Sequence, residues 1–245
     1  MVGMCKDRIA IVTGAAGQGM GRSIALTLAR EGARVIVNYL KSEQQATAIV
    51  NHIAGRGGTA LAIQADVASP DGCEKLVKES VARFGNIDIC IIGPGSGWHP
   101  GGAHQMDVDG AIDDVRRELV PLYAMMKLLL PGMYERQWGR IVAIAQLPPY
   151  DSPAYAYNAA KAARTQAALI AKRDAWTKGV TINTVAPGPV DHVETLASSV
   201  ELCDHGPAWQ NRHNITPQDI AEGVAFLCSD ASRFITGCDV PYLWR

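Results

Sequence analysis

The stretch Arg8-Ile9-Ala10-Ile11-Val12-Thr13 constrains the fold of this chain more than any other. It is a short apolar run that ends in glycines, which predicts a strand buried on both faces, as in a parallel sheet. Gly14, Gly17, Gly19 and Gly21 follow at once, and Ser23 to Arg30 then reads as a helix. Strand, glycine loop and helix together present backbone N–H groups and a helix N-terminus to a phosphate. Glycines are needed because a Cβ would block close approach of a pyrophosphate. A glycine-rich loop alone is a weak signal; its place between the first strand and the first helix makes it specific.

The same alternation continues along the chain. Strands are predicted at Ala33–Asn38, Thr59–Ala65, Ile87–Ile92, Arg140–Ala145, Val180–Val185 and Gly237–Leu243. Helices are predicted at Ser42–Gly55, Pro70–Phe84, Asp113–Tyr134 (broken or tilted around Pro121), Ala154–Ala171 and Thr216–Cys228. Strands that alternate with helices predict an α/β fold, a doubly wound parallel sheet of about seven strands with helices on both faces. No linker or repeat divides residues 1–245, which read as a single domain. The stretch from Val190 to Asn214 is polar and irregular, holds His192, His205, Trp209 and His213, and reads as a mobile substrate lid.

Composition excludes several classes of function. The formal net charge of −1 gives no basic footprint for nucleic acid or an anionic membrane. No apolar run is long enough to span a bilayer, and Met1–Arg8 lacks the apolar core of a signal peptide. The cysteines, at positions 5, 73, 90, 203, 228 and 238, are scattered and form no Cys-x-x-Cys. That spacing argues against metal ligation and disulfides and for reduced thiols in the cytoplasm.

The chemistry is expected in Tyr157-Asn158-Ala159-Ala160-Lys161, inside an alanine-rich run that favours a helix. Residues four apart share a helix face, so phenol and ammonium can share a site. The ammonium stabilises phenolate and is expected to pull the tyrosine pKa down. Alone, such a pair reads as a surface pair; the rest of the chain changes the odds. The end of the second strand offers no carboxylate to meet an adenosine 2′-hydroxyl; it carries Asn38, with Lys41 and Ser42 close by, which favours NADPH over NADH.

Over essentially its whole length the chain resembles the short-chain dehydrogenase/reductase family, with a flavour of the 3-oxoacyl-carrier-protein reductase branch. The matching pieces are Thr13-Gly14 with Gly19-Met20-Gly21, Asp66-Val67, Gly139-Arg140-Ile141-Val142, Tyr157-x-x-x-Lys161, Asn183 with Pro187-Gly188, and Phe234-Ile235-Thr236-Gly237. The resemblance implies a Rossmann fold, a nicotinamide cofactor, a small-molecule substrate, and a homotetramer or dimer built on the long helices. It implies that Tyr157 is the acid/base and that Lys161 lowers its pKa and holds the nicotinamide ribose. Asp66 would bind the adenine amine, with Val67 in backbone contact. Gly93, Pro187, Gly188 and Val190 complete the implied cofactor-binding set.

The departures from the family pattern are informative. The first two glycines of the loop are separated by one residue more than usual. The Asn-Asn-Ala-Gly motif after the fourth strand is replaced by Ile92-Gly93-Pro94-Gly95. Pro94 has no N–H to donate, so that loop must be held differently. The serine position at the end of the fifth strand falls on Gln146, which either donates to a substrate oxygen or hydrogen-bonds the loop as a strand-end residue. Ser152 is not expected to substitute. The family's asparagine on the long helix falls at Glu118, which could anchor a water or act as a base if burial raises its pKa. The threonine after Pro187-Gly188 appears as His192, and His99 and His104 are candidate substrate contacts. The chosen reading is an NADPH-dependent reductase of a carbonyl or activated C=C. The alternatives are non-redox chemistry on the same fold (dehydratase, dehalogenase or isomerase), or a degenerate cofactor-binding subunit.

Overall fold

The structure, a computed structural model, describes residues 3–146, 153–210, 212 and 214–242. Its strands are β1 (Ile9–Val12), β2 (Arg34–Tyr39), β3 (Ala60–Gln64), β4 (Ile89–Ile92), β5 (Gly139–Ile144), β6 (Val180–Pro187) and β7 (Asp239–Tyr242). They form one sheet in the order β3-β2-β1-β4-β5-β6-β7, and all its pairings are parallel. The helices are α1 (Met20–Arg30), α2 (Glu43–Gly55), α3 (Pro70–Phe84), α4 (Val108–Arg136), α5 (Tyr155–Ala175), α6 (Leu196–His205) and α7 (Pro217–Leu227).

Alternate residues of each strand feed two cores. Ala10, Val12, Val35, Val37, Ile89 and Ile91 pack with Ile24 and Leu28 of α1, Ile49 of α2 and Val224 of α7. Ile9, Ile11, Ile36, Cys90 and Ile92 point the other way, onto Leu76 of α3, Leu122 and Met125 of α4 and Ala168 of α5. Strands buried on both faces must be apolar at every position, which is why β1 and β4 show no alternation. Strand order reverses between β1 and β4, so the loops after these two strands part and leave a crevice at the C-terminal edge of the sheet.

Two expectations are corrected. The segment after Val190 is not irregular throughout, because it contains α6. Thr195 caps that helix by accepting from Ser198 N–H at 3.0 Å, and its buried face carries Ser199 and Cys203. The helix α4 is not broken at Pro121; it runs from Val108 through both Pro121 and Pro131 to Arg136. It also starts earlier than Asp113, because Asp107 caps it by accepting from Gly110 N–H at 2.8 Å. Among the described residues, no helix is long and apolar enough to cross a membrane.

Candidate active site

The crevice begins with the glycine loop. Gly14 has φ of +62°, and a Cβ there would lie 2.6 Å from Pro94 Cγ. A Cβ on Gly21 would lie 2.6 Å from the Gly14 carbonyl oxygen, so α1 packs against the loop only through a glycine. Gly19, the residue before α1, provides no side-chain cap. A Cβ on Gly19 would meet nothing within 4 Å, so the protein's own packing does not require a glycine there. Uncapped N–H groups at a helix N-terminus, facing open space through a loop of glycines, suit an anionic ligand. Thr13, Gly14, Gly19, Met20, Gly21 and Gly93 share in lining a cavity of about 200 Å³ here. A second cavity of about 210 Å³ adjoins it through Gly14 and Pro94, and its walls include Leu40, Asp66, Val67 and Arg117. Two linked cavities, one at a helix N-terminus and one between strand ends, fit a dinucleotide.

Asn38 does not sit as expected. It is buried, and its Oδ1 accepts from Gly14 N–H at 3.1 Å while its Nδ2 donates to the carbonyls of Ile63 and Ala65 at 3.3 and 3.1 Å. The amide straps the glycine loop to β2 and β3, so its side chain is spent before it can meet a ribose. Lys41 is exposed, and Ser42 sits before α2 without using its side chain as a cap. Asp66 accepts from Ala68 N–H at 3.0 Å and lines the second cavity beside buried Val67. Gly188 N–H donates to the Tyr242 carbonyl at 3.1 Å, and Val190 bridges to Ile215. Pro187 ends β6, and His192 is exposed.

The loop after β4 is held in a way that needs no N–H from Pro94. Thr13 Oγ1 accepts from Gly93 N–H at 2.9 Å. Arg164, fully buried on α5, donates to the carbonyls of Gly93 (3.1 Å), Ile144 (3.2 Å) and Pro94. Glu118 on α4 accepts from the backbone N–H and the hydroxyl of Ser96 at 2.8 and 3.0 Å. Sequence reasoning missed both Arg164 and Ser96. Arg164 lies three residues beyond Lys161 and seven beyond Tyr157, on one stripe of α5, and a charge on a core-facing stripe is the signal that would have found it.

Glu118 is 0% exposed and lies between two cations. Lys161 Nζ is 3.1 Å from its Oε1 and Arg164 Nε 2.6 Å from its Oε2. The Arg164 Nε–H itself points to the Glu118 carbonyl oxygen at 3.1 Å, in the turn where Pro121 interrupts the helix ladder. A carboxylate enclosed in this way meets Lys161, Arg164 and Ser96 in place of solvent. Burial, and after it Arg164, pulls the Lys161 ammonium down to about 8, against the pull of Glu118.

Tyr157 lies in the first turn of α5, half-buried, with Lys161 Nζ 5.6 Å from its ring centre. Its pKa is raised rather than lowered: burial and then the Glu118 charge push it up, while Arg164 opposes them. The direction is opposite to the one expected, with burial of the phenol as its largest cause. Gln146, two residues beyond β5, donates from Nε2 to Oδ1 of Asn158, the neighbour of Tyr157, at 3.1 Å, and its Oε1 is buried without a hydrogen bond. Ser152 and His213 lie outside the described residues. His99 places Nε2 3.0 Å from Asp114 Oδ2 and Nδ1 2.9 Å from the Gly97 carbonyl, which ties the loop to α4; His104 is exposed. Among the described residues, no group of three or more His, Cys, Asp or Glu is placed to hold a metal.

A doubly wound parallel sheet, a glycine loop at its switch point and a tyrosine and lysine one turn apart define a nicotinamide-dependent oxidoreductase. The family model described as enoyl-(acyl carrier protein) reductase matches residues 14–242. The 3-oxoacyl-[acyl-carrier-protein] reductase FabG of Staphylococcus epidermidis is 34% identical over 234 residues, 94% of this chain and 95% of its own. Versicolorin reductase stcU of Emericella nidulans is 32% identical over 94% of this chain and 92% of its own. A 7α-hydroxysteroid dehydrogenase solved with NADH and 7-oxo glycochenodeoxycholic acid superposes with a TM-score of 0.84 at 26% identity, covering 97% of this chain and 93% of that one. The chain belongs to the short-chain dehydrogenase/reductase family and is an NAD(P)-dependent enzyme of it.

Proposed function

We propose that this enzyme is an NADPH-dependent reductase of a small organic substrate, acting on a carbonyl or an activated C=C, with Tyr157 as the proton donor. One observation carries the reading: Lys161 and Arg164 surround a single carboxylate, Glu118, so the buried cluster holds one positive charge in excess beside the phenol. That surplus favours negative charge developing on a substrate oxygen beside the tyrosine, alkoxide or enolate, while burial of the phenol itself keeps it in its neutral form. The bound nicotinamide supplies the hydride. Tyr157 holds the proton on its phenol until charge develops on the substrate oxygen, and its raised pKa keeps it protonated at rest. Gln146 retains a second N–H with which to polarise that oxygen, although its first is used on Asn158. Enone or enoyl reduction asks least of this site, because there the tyrosine needs only to stabilise an enolate.

Preference for NADPH is supported by the lack of a ribose-facing carboxylate after β2 and by Lys41 and the uncapped Ser42 at the N-terminus of α2. Exposed Val108, Ile112 and Tyr123 on α4 and Ile170 on α5 support a homo-oligomer, a tetramer or dimer built on these helices. Free thiols support a cytoplasmic setting. Residues 190–214 form the substrate lid of a single domain.

A fluorescence titration with NADPH and NADH tests the cofactor; tight binding of the first and weak binding of the second is expected. A panel of ketones and enones then tests the substrate class. Tyr157→Phe should lower turnover by about 10²-fold or more while leaving cofactor affinity unchanged. Binding of neither cofactor, or full turnover by the phenylalanine variant, would overturn the reading.

A further inference from the structure

A buried carboxylate with one cationic partner is a trap, because drawing the cation away leaves an unpaired charge in a dry site. Lys161 meets Glu118 in this way, yet the proposed function needs its ammonium on the cofactor and tyrosine side. Arg164 changes the balance. It is 0% exposed, and carbonyls of Gly93, Pro94, Ile144 and Glu118 fix its guanidinium. Its Nε lies 2.6 Å from Glu118 Oε2 while Lys161 sits on Oε1, and Ser96 gives Oε1 two donors of its own.

We propose that Arg164 and Ser96 are positioning residues that hold Glu118 as a permanently compensated counter-ion, so that Lys161 can leave it for the cofactor, and that this network couples the loop Gly93–Ser96 to Lys161. The inference rests on the reading of Tyr157 and Lys161 as the acid–base pair. The groups that face the ammonium are Glu118 from α4 and Arg164 and Tyr157 from α5; Asp114, one turn before Glu118, is engaged by His99. Arg164 and Glu118 act on the Lys161 proton with opposite sign, Arg164 lowering and Glu118 raising its pKa. A residue that merely fills space would have no such signature.

The test is an NMR titration of Lys161 in the full chain without ligand, its signal assigned by loss in Lys161→Arg. Glu118→Gln should move the midpoint down by about one pH unit, and Arg164→Met should move it up by about as much. The double variant should return it close to the wild-type value. NADPH affinity should fall about tenfold in Arg164→Met, where Lys161 is held on Glu118, and recover in the double variant. Shifts of the same sign, no shift, or a double variant that binds no better than Arg164→Met would overturn the proposal. If Arg164→Met does not fold, the isosteric Glu118→Gln decides by the direction of its shift. A wild type that binds neither cofactor would sink the reductase reading and with it the release of Lys161 to a cofactor, whereas the midpoints would still decide whether Arg164 compensates Glu118.

Discussion

Gly95→Ala adds one methyl group to this chain and places it inside the buried ion cluster. The new Cβ would lie 2.1 Å from Glu118 Oε1 and 2.4 Å from both Cδ and Oε2. The backbone at Gly95 is not left-handed, so the only obstacle is the space Glu118 occupies. An ordinary glutamate tip would swing aside, but this one is held by Lys161 at 3.1 Å, Arg164 at 2.6 Å and Ser96 N–H at 2.8 Å. Overpacking a rigid interior costs about 1–3 kcal/mol, and loss of a buried ion pair costs about 3–5 kcal/mol. Partial displacement of the carboxylate should therefore destabilise the fold by about 2–4 kcal/mol. In a domain of this size that corresponds to a fall in Tm of roughly 5–15 °C. Urea unfolding of wild type and variant, followed by tryptophan emission and circular dichroism, gives the difference. Shortening the acid should relieve it, so Gly95→Ala/Glu118→Asp should lose less than the sum of the two single changes. A Gly95→Ala protein as stable as wild type would show that Glu118 is free to move, and the rigid-cluster reasoning would fail with it.

Three further outcomes are expected. Gln146→Ala should lower kcat by about tenfold or more with its fold intact if the amide polarises the substrate oxygen; unchanged kcat would leave it as a loop anchor. Lys41→Ala should weaken NADPH and not NADH, since a single exposed cation matters only to the 2′-phosphate; equal losses in a binding titration would remove it from that role. Lys161 binds protons less tightly folded, at about 8, than at the ordinary 10.5, so between these pH values the unfolded chain carries more protons and stability rises with pH. The stability of wild type relative to Lys161→Met should therefore increase by about 3 kcal/mol from pH 7 to 10.5, and parallel stability curves would contradict it.

The alternation of apolar strands and amphipathic helices was legible because it is a one-dimensional pattern, and the parallel sheet follows from it. Tyr157 and Lys161 were legible because a helix converts a spacing of four into a shared face. Residues whose roles depend on other elements were not. Asn38 was visible as a polar residue ending a strand, but its side chain turns inward because the Gly14 N–H and two carbonyls at the end of the neighbouring strand, of Ile63 and Ala65, lie within reach. Arg164 acts across the α4–α5 packing, which no local spacing reveals. The rise in the Tyr157 pKa depends on its burial and on a carboxylate distant in sequence. The early start of α4 was hidden because Asp107 and the polar first turn resemble a loop, and α6 because it is short and set in a polar stretch.

The contact between Glu118 and the loop after β4 also limits how this enzyme can change over evolutionary time. Glycine at 95 leaves room for the glutamate, the glutamate needs two cations, and the arginine that serves as the second also ties down a loop whose proline offers no N–H. Replacing any one of these residues alone exposes a clash, an unpaired charge or a loose loop. Positions 94, 95, 118 and 164 are thus expected to be inherited and exchanged as a block. Relatives that carry glutamate at 118 should carry glycine at 95 and arginine at 164, and those with asparagine at 118 should be free of the arginine.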